Sequence, residues 1–315
     1  VQTCALPISL VMAVELKKID TEKRNERSMH IDSMSTLDMV KLINEEDHKV
    51  AEAVAEVTPE IAKAVDVIYE QLRQGGRLIY VGAGTSGRLG ILDAAECPPT
   101  YGVDPGLVVG LIAGGPGALL KAVEGAEDSR ELGREDLEKI HFSAKDVVVG
   151  IAASGRTPYV LGAMDYAHSV GAPVLALTCC HNSELSRHAD ITMAPVPGPE
   201  VVTGSSRMKS GTAQKMVLNI LSTGVMIKLG KVYGNLMVDV KASNEKLYQR
   251  AVSIVCASTG VSEEEARSVL EKSNFACKPA IVSILLGITP EEALTALANA
   301  DGRIAEAIKN GKPMA

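Results

Sequence analysis

The chain has 315 residues, enough for one large domain with an appendage or for two modest domains. Its residues are 46% hydrophobic and 23% charged, which is typical of a globular protein with a substantial core. The net charge of −7 and the aromatic content of 3%, with no tryptophan, argue against binding to nucleic acid or to an anionic membrane surface.

Residues 1–18 are not expected to contribute to the fold. They open with VQTCALPI, which resembles a translated sequencing adapter, and they lack the basic flank and cleavage site of a signal peptide. We predict an artefactual or disordered tail. Helical spacing of apolar residues then begins at Ser35, which is a suitable N-cap. A second amphipathic helix is predicted over 59–72, and Gly75-Gly76 ends it.

Five apolar segments are predicted as β-strands, at 77–81, 107–112, 146–151, 173–178 and 191–193. Helical segments lie between them, one at 89–96 and another that reaches His168. Continuous apolar strands that alternate with helices are typical of a parallel sheet covered on both faces. We therefore predict an α/β fold over residues 19–244, a three-layer αβα sandwich with a mainly parallel sheet.

Beyond Asn244 the strand pattern stops. Acidic residues followed by apolar helical spacing predict three or four short helices, which we assign to a small C-terminal helical domain at 245–315. The apolar segment 213–229 contains Lys215 and Lys228, so it is too short and too charged to span a membrane. It is predicted as a buried core helix.

The six cysteines show neither a CxxC motif nor the spacing of metal ligands, and the six histidines do not cluster. His181 beside Cys179 and Cys180 is the only local grouping. We therefore expect reduced thiols, a cytoplasmic location and no metal site.

Two strand–loop–helix units carry a similar set of small and hydroxyl residues, GAGTSGR at 82–88 and ASGRT at 153–157. Backbone N–H groups at a helix N-terminus, together with neighbouring hydroxyls, form a natural anion site. The predicted ligand-binding residues of the two loops are Thr85, Ser86, Gly87, Ser154, Gly155 and Thr157.

The first loop also fits the dinucleotide pattern GxGxxG, but that fit alone is weak. Asp104 lies before the next strand, whereas a dinucleotide-binding site requires an acidic residue at the end of that strand. A third segment, 197–215, is again rich in hydroxyl and cationic donors, and we predict that Ser205, Ser206 and Lys209 contribute to binding. Three such loops in one sheet protein predict a small phosphorylated sugar as the ligand.

The longer strings GAGTSGRLGILDAAECPP, VEGAEDSRELG, PGPEVVTGSSRMKSGTAQK and VDVKASNEKL resemble the N-acetylmuramic acid 6-phosphate etherases. The two loops resemble those of SIS sugar-isomerase domains, and the likeness extends from about residue 20 to about 308. It implies a cofactor-independent, homodimeric enzyme of cell-wall recycling. Such an enzyme converts N-acetylmuramic acid 6-phosphate into N-acetylglucosamine 6-phosphate and D-lactate. The family's two catalytic glutamates correspond, by their motifs, to Glu96 and Glu127.

Glu96 is predicted to end a helix just before Pro98, where the helix dipole would disfavour a charged carboxylate and suit a proton donor. If one helix joins Ser86 to Glu96, the two lie about 15 Å apart, too far for a hexose phosphate to bridge. Either the chain folds back after Gly90, or Glu96 serves the loops of another subunit. We favour a homodimer with its active site near the subunit interface.

Two other functions share these features. A sugar-phosphate-sensing regulator uses the same fold to control a partner protein, and an aldose–ketose isomerase shares ring opening and removal of the C2 proton. A single SIS unit with both glutamates present favours the etherase reaction, which acid–base catalysis can perform without a cofactor.

Overall fold

The computed structural model describes residues 19–121, 123–240 and 244–311. The predicted tail at 1–18 lies outside the described residues. Asn244 is the first residue described after 241–243, and its side chain caps the helix that follows.

Two long helices precede the sheet. Helix α1 spans Thr36–Glu56, and the Ser35 hydroxyl at its N-cap accepts a hydrogen bond from the backbone N–H of Asp38, which confirms the predicted cap. Helix α2 spans Thr58–Arg73 and begins with a proline in its first turn. Gly75 follows with a φ of +85°, a left-handed conformation that glycine adopts without strain.

The central sheet has five parallel strands in the order β2-β1-β3-β4-β5. The strands are β1 Leu78–Gly82, β2 Val108–Ile112, β3 Val147–Ile151, β4 Val174–Leu177 and β5 Ile191–Met193. Each bound agrees with the sequence prediction to within one residue. The order places β1 beside β3, and the chain leaves these two strands in opposite directions. This is the topological switch point at which open α/β sheets bind their ligands.

Five helices connect and cover the strands. They are α3 Gly84–Tyr101, α4 Arg130–Lys139, α5 Pro158–Ser169, the short α6 Glu184–Arg187 and α7 Lys209–Lys228. Helix α7 begins four residues before the predicted segment 213–229, and its inner face is fully buried, as predicted.

Helix α3 is longer than predicted at both ends. The predicted helix at 89–96 begins instead at Gly84 and runs through Pro98 and Pro99 to Tyr101. A proline inside a helix removes one backbone hydrogen bond and crowds the preceding turn. Here α3 packs against β2 and α7 with Ala94 and Cys97 buried, and this tertiary packing outweighs the local penalty.

Alternate residues of each strand face opposite layers of helices. Tyr80 packs in a core with residues of α2 and α7, including Ile68 and Leu221. Its neighbour Ile79 packs in a second core with residues of α4 and α5, including Leu137. The period-two alternation of strand side chains therefore produces the predicted three-layer αβα sandwich.

A short hairpin, β6 Val232–Tyr233 and β7 Leu236–Met237, leads to the C-terminal helices. Residues 244–311 contain five helices rather than the predicted three or four. They are α8 Glu245–Thr259, α9 Glu263–Lys272, α10 Cys277–Leu286, α11 Pro290–Ala298 and α12 Ile304–Gly311. Helix α10 has no acidic residue in its first turn, so the pattern used for its neighbours did not reveal it. The five helices share a hydrophobic core of their own.

Over the described ranges, no single helix is long and apolar enough to cross a membrane. Helices α10 and α11 reach that length and composition only as a pair, and the chain bends by 104° between them.

Candidate active site

The two hydroxyl-rich loops lie side by side at the carboxyl edge of the sheet. Gly82 at the end of β1 pairs with Ile151 at the end of β3, so the loops that follow them emerge from neighbouring strands. They flank the switch point of the sheet, where helix N-termini and loop backbones converge on one crevice. The structure thus brings together the two segments that the sequence identified separately.

The first loop passes directly into helix α3. The N-cap of α3 is Ala83, and within the described ranges no side chain caps this end of the helix. Its first N–H groups are therefore not neutralised by a side chain, which favours an anion there. Thr85 is half-buried, whereas Ser86 is buried and donates a hydrogen bond of 3.0 Å to Oε1 of Gln214.

Gly87 has a packing role that the sequence did not suggest. A Cβ atom at this position would lie 2.6 Å from the Cγ1 atom of Ile112 and 2.7 Å from the carbonyl oxygen of Gly82. Glycine is therefore what allows α3 to approach the strands so closely.

The second loop borders a polar cleft of about 240 Å³. Ser154 and Arg156 line it together with the segment that follows β4, including His181 and Ser183. Gly155 has a φ of +66° and leaves no room for a side chain, because a Cβ atom would lie 2.6 Å from the hydroxyl of Thr178.

Thr157 is the N-cap residue of α5 and makes no capping hydrogen bond with its side chain. Its hydroxyl is half-buried at the edge of the second loop. The N-terminus of α5, like that of α3, therefore receives no capping hydrogen bond from the side chain of its own N-cap residue.

The third predicted segment leads into helix α7, beside the first loop. Ser205 and Ser206 are half-buried in a turn before the helix, and a Cβ atom on Gly211 would lie 3.5 Å from Cγ2 of Thr85. The first turn of α7 differs from that of α3, because the buried carboxylate of Glu200 accepts hydrogen bonds of 3.0 Å from the N–H groups of Lys209 and Ser210.

The side chain of Lys209 is buried in an ion pair instead of projecting into the loops. Its Nζ atom lies 2.7 Å from Oε2 of Glu46 and 3.1 Å from the carbonyl oxygen of Pro197, and both ionic side chains are only 1% exposed. Burial opposes ionisation of Glu46, but hydrogen bonds from Lys209 and Lys49 and the charge of Lys209 lower its pKa to about 2. Arg27 also pairs with this carboxylate, at 2.9 Å.

Glu127 lies close to the first loop. It belongs to a short 3-10 turn, Ala126–Asp128, and is exposed. Its side chain and Gly84 line the same cleft of about 260 Å³. Arg88 forms another wall, and its guanidinium is held by the carbonyl oxygens of Ala118 and Leu119 at 2.8 and 2.9 Å.

Glu96 lies away from both loops of its own chain. It is exposed on α3, ten residues beyond Ser86 in one unbroken helix, which corresponds to about 15 Å along the axis. The alternative in which the chain folds back after Gly90 is excluded. The helix continues to Tyr101, so the prediction that it ends at Glu96 is also wrong.

Sequence reasoning missed a buried polar cluster one turn before Glu96. Asp93 accepts hydrogen bonds from Tyr80, Asn219 and Ser222 at 3.0, 2.7 and 3.1 Å. Burial raises the pKa of Asp93, and these hydrogen bonds offset the effect only in part. The cluster ties α3 to β1 and α7, and the signal for it was a carboxylate on the otherwise apolar face of the helix.

Nowhere in residues 19–121, 123–240 and 244–311 do three His, Cys, Asp or Glu side chains form a group that could hold a metal ion. The groups at the crevice include the N-termini of α3 and α5, the hydroxyls of the two loops and the carboxylate of Glu127.

Three family models match the chain. Residues 60–168 match the N-terminal SIS domain of glucokinase regulatory protein, 134–223 match the SIS domain, and 234–301 match the C-terminal lid domain of glucokinase regulatory protein. Among solved structures, a phosphoheptose isomerase from Neisseria gonorrhoeae aligns with a TM-score of 0.49 and 18% identity, over 61% of this chain and 98% of that one. The SIS-type fold expected from the sequence is confirmed.

Relatives match along nearly the whole chain. An N-acetylmuramic acid 6-phosphate etherase from Photobacterium profundum is 60% identical over 96% of this chain and 100% of its own length. A second, from Clostridium beijerinckii, is 56% identical over 94% of this chain and 98% of its own. The chain therefore belongs to the N-acetylmuramic acid 6-phosphate etherase family.

Proposed function

We propose that this protein cleaves the D-lactyl ether of N-acetylmuramic acid 6-phosphate and releases N-acetylglucosamine 6-phosphate and D-lactate. The observation that carries the proposal is the match to etherases at 56–60% identity over nearly the full chain. The geometry agrees with it, since two hydroxyl-bearing loops with uncapped helix N-termini flank the switch point of the sheet.

The phosphate of the substrate would bind at these two loops. An oxyanion is stabilised by free backbone N–H groups and by hydroxyl donors, and both are present at the start of α3 and of α5. The side chains of the third segment lie beside the first loop and would add donors. We assign substrate binding to Thr85, Ser86, Gly87, Ser154, Gly155, Thr157, Ser205 and Ser206. Lys209 would contribute indirectly, because its buried ion pair holds the backbone at the start of α7 in place.

An ether at C3 is a poor substrate for direct hydrolysis, because alkoxide is a poor leaving group. Ring opening exposes the C1 aldehyde and makes the C2 proton removable. A base takes that proton, the C3–O bond breaks as lactate accepts a proton, and a C2–C3 double bond forms. Water then adds its hydroxyl to C3 and a proton to C2. Glu96 as the main acid–base group and Glu127 as the assisting carboxyl would supply these proton transfers.

Glu96 would act on the substrate bound by another subunit. The unbroken helix between Ser86 and Glu96 supports a homodimer whose active site lies near the subunit interface. The exposed apolar surface beside Glu96 fits this arrangement. Leu92, one turn earlier on the same face, is 52% exposed, and Ile220 on the adjacent helix α7 is 39% exposed.

We also propose a cytoplasmic location. Five cysteines in the described part of the chain are free thiols, four of them buried, and reduced thiols are typical of the cytoplasm.

The reaction is tested by incubating the protein with N-acetylmuramic acid 6-phosphate in D₂O and following lactate and the C2 position by NMR. Lactate release with deuterium at C2 of the product is expected. Glu96→Gln and Glu127→Gln should each lower the rate by about 100- to 10,000-fold. Glu124→Gln is the control, because Glu124 lines the same cleft as Glu127.

Other outcomes separate the alternatives. Protein that binds the sugar phosphate without releasing lactate would be a sensor, and C2 exchange with the lactyl ether intact would indicate an isomerase. Heterodimers of S86A and E96Q subunits should recover part of the activity, because one of their two sites is complete. Verified heterodimers with no activity would contradict the shared site.

A further inference from the structure

A buried amide on helix α7 contacts the hydroxyl of the first loop that is proposed to bind the substrate. Gln214 is 1% exposed and Ser86 is 7% exposed. The Ser86 hydroxyl donates to Oε1 of Gln214 at 3.0 Å, while the Nε2 group of Gln214 has no hydrogen-bond partner among the residues that the structure describes. A buried donor without a partner destabilises the folded state, so the Nε2 group lacks a hydrogen bond that its burial calls for.

The present hydrogen bond also uses the proton of Ser86. A hydroxyl has one donor and can accept further hydrogen bonds. While Ser86 donates to Gln214, it has no proton to offer to an anion. Binding of a phosphate oxygen by Ser86 therefore requires that the amide of Gln214 stop accepting that proton.

Rotating the terminal amide of Gln214 by half a turn meets both requirements. The Nε2 group then donates to Oγ of Ser86, and the Ser86 hydroxyl proton is released toward the crevice. Ser210 carries a second buried hydroxyl, which also lacks a partner in the described part of the chain. It lies one turn before Gln214 on the same face of α7, where its proton can serve the displaced Oε1 atom.

We propose that Gln214 is a positioning residue for the phosphate group, and that its amide turns over on binding so that Ser86 becomes a donor to the ligand. The proposal rests on the proposed function, since it takes a sugar phosphate as the ligand of the first loop. Gln214 itself does not touch the substrate in this scheme. It acts only through the direction of the Ser86 hydroxyl proton.

The test compares Gln214→Glu with Gln214→Leu. A glutamate carboxylate has nearly the shape of the amide but only accepts, so it holds Ser86 in the non-binding orientation. Calorimetric titration with N-acetylglucosamine 6-phosphate should show a loss of affinity of about 10- to 100-fold for Q214E, the worth of one hydrogen bond to a charged group. Q214L removes the acceptor as well as the donor, so its loss should be smaller. In both variants KM should rise while kcat changes little.

A double-mutant cycle with Ser86→Ala isolates the effect. In the S86A background, Q214E and Q214L should have no further effect on affinity, because there is no hydroxyl left to orient. A loss for Q214E that is equally large with and without Ser86 would reveal direct repulsion of the phosphate and overturn the proposal. Unchanged affinity in both folded single variants would also overturn it. Wild-type protein that fails to bind N-acetylglucosamine 6-phosphate would instead refute the proposed function.

Discussion

Removing the charge of Glu46 should destabilise the protein strongly, although Glu46 lies outside the crevice. In Glu46→Gln the ammonium of Lys209 stays buried without its counter-charge. Stranding one partner of a buried ion pair costs about 3–5 kcal/mol. The pKa of Glu46 leads to a similar figure: a value of about 2 against 4.5 for the free side chain corresponds to about 3 kcal/mol at neutral pH.

Urea unfolding followed by circular dichroism measures this effect. Lys209→Met should be destabilising by itself, because the buried carboxylate of Glu46 then keeps only its half-exposed partners Arg27 and Lys49. The double variant E46Q/K209M should be more stable than the sum of the two losses predicts. Glu70→Gln is the control, since Glu70 pairs with Arg73 on the surface at 2.9 Å and such exposed pairs contribute little. The reasoning is refuted if E46Q shifts the midpoint no more than E70Q, or if the two buried changes are additive.

Three further predictions concern other groups. Because the pKa of Glu46 is lower in the folded state, the stability it confers is complete above pH 4.5 and falls as the pH decreases toward 2, so urea midpoints should drop over this range in wild type and less in E46Q. Gly87→Ala should cost about 1–3 kcal/mol in the same assay, because its Cβ atom would meet Ile112 at 2.6 Å. Gly117→Ala, whose Cβ atom would have no described atom within 4 Å, should be nearly neutral. Burial raises the pKa of Cys97 to about 12, so a thiol reagent at neutral pH should label it only in urea, and rapid labelling in the folded protein would contradict its burial.

The sheet could be predicted from the sequence because each strand is a short run of apolar residues that local composition reveals. Val147–Ile151, for example, is buried at every position. Its sequence is therefore an unbroken apolar run, which can be recognised without the alternation of apolar and polar residues that marks a half-exposed strand. The ends of α3 could not be predicted in this way. Pro98 and Pro99 are local stop signals, and only packing against distant parts of the chain overrides them.

The candidate site was predictable where its chemistry is local. Glycines and hydroxyls follow directly after β1 and β3, and the parallel sheet brings these two strand ends together. Long-range partners were not predictable. The sequence around Lys209 predicts a free cation beside Ser205 and Ser206. In the structure Lys209 is paired with Glu46, which lies 163 residues earlier in the chain. The contact between Ser86 and Gln214 joins residues 128 apart, and neither segment alone suggests it.

The unbroken helix α3 also determines which changes in chain length this enzyme can tolerate. One residue inserted between Ser86 and Glu96 would rotate every later side chain by about 100° and move it by about 1.5 Å. Asp93 would then turn away from its partners on α7, and Glu96 would point in a new direction. Insertions in this stretch should therefore be lost under selection, even if each new residue favours a helix. Gly115 and Gly117 lie beyond the end of this helix, and an added Cβ atom there would meet no described atom within 4 Å. A change at these two positions therefore leaves the directions of Asp93 and Glu96 unaltered.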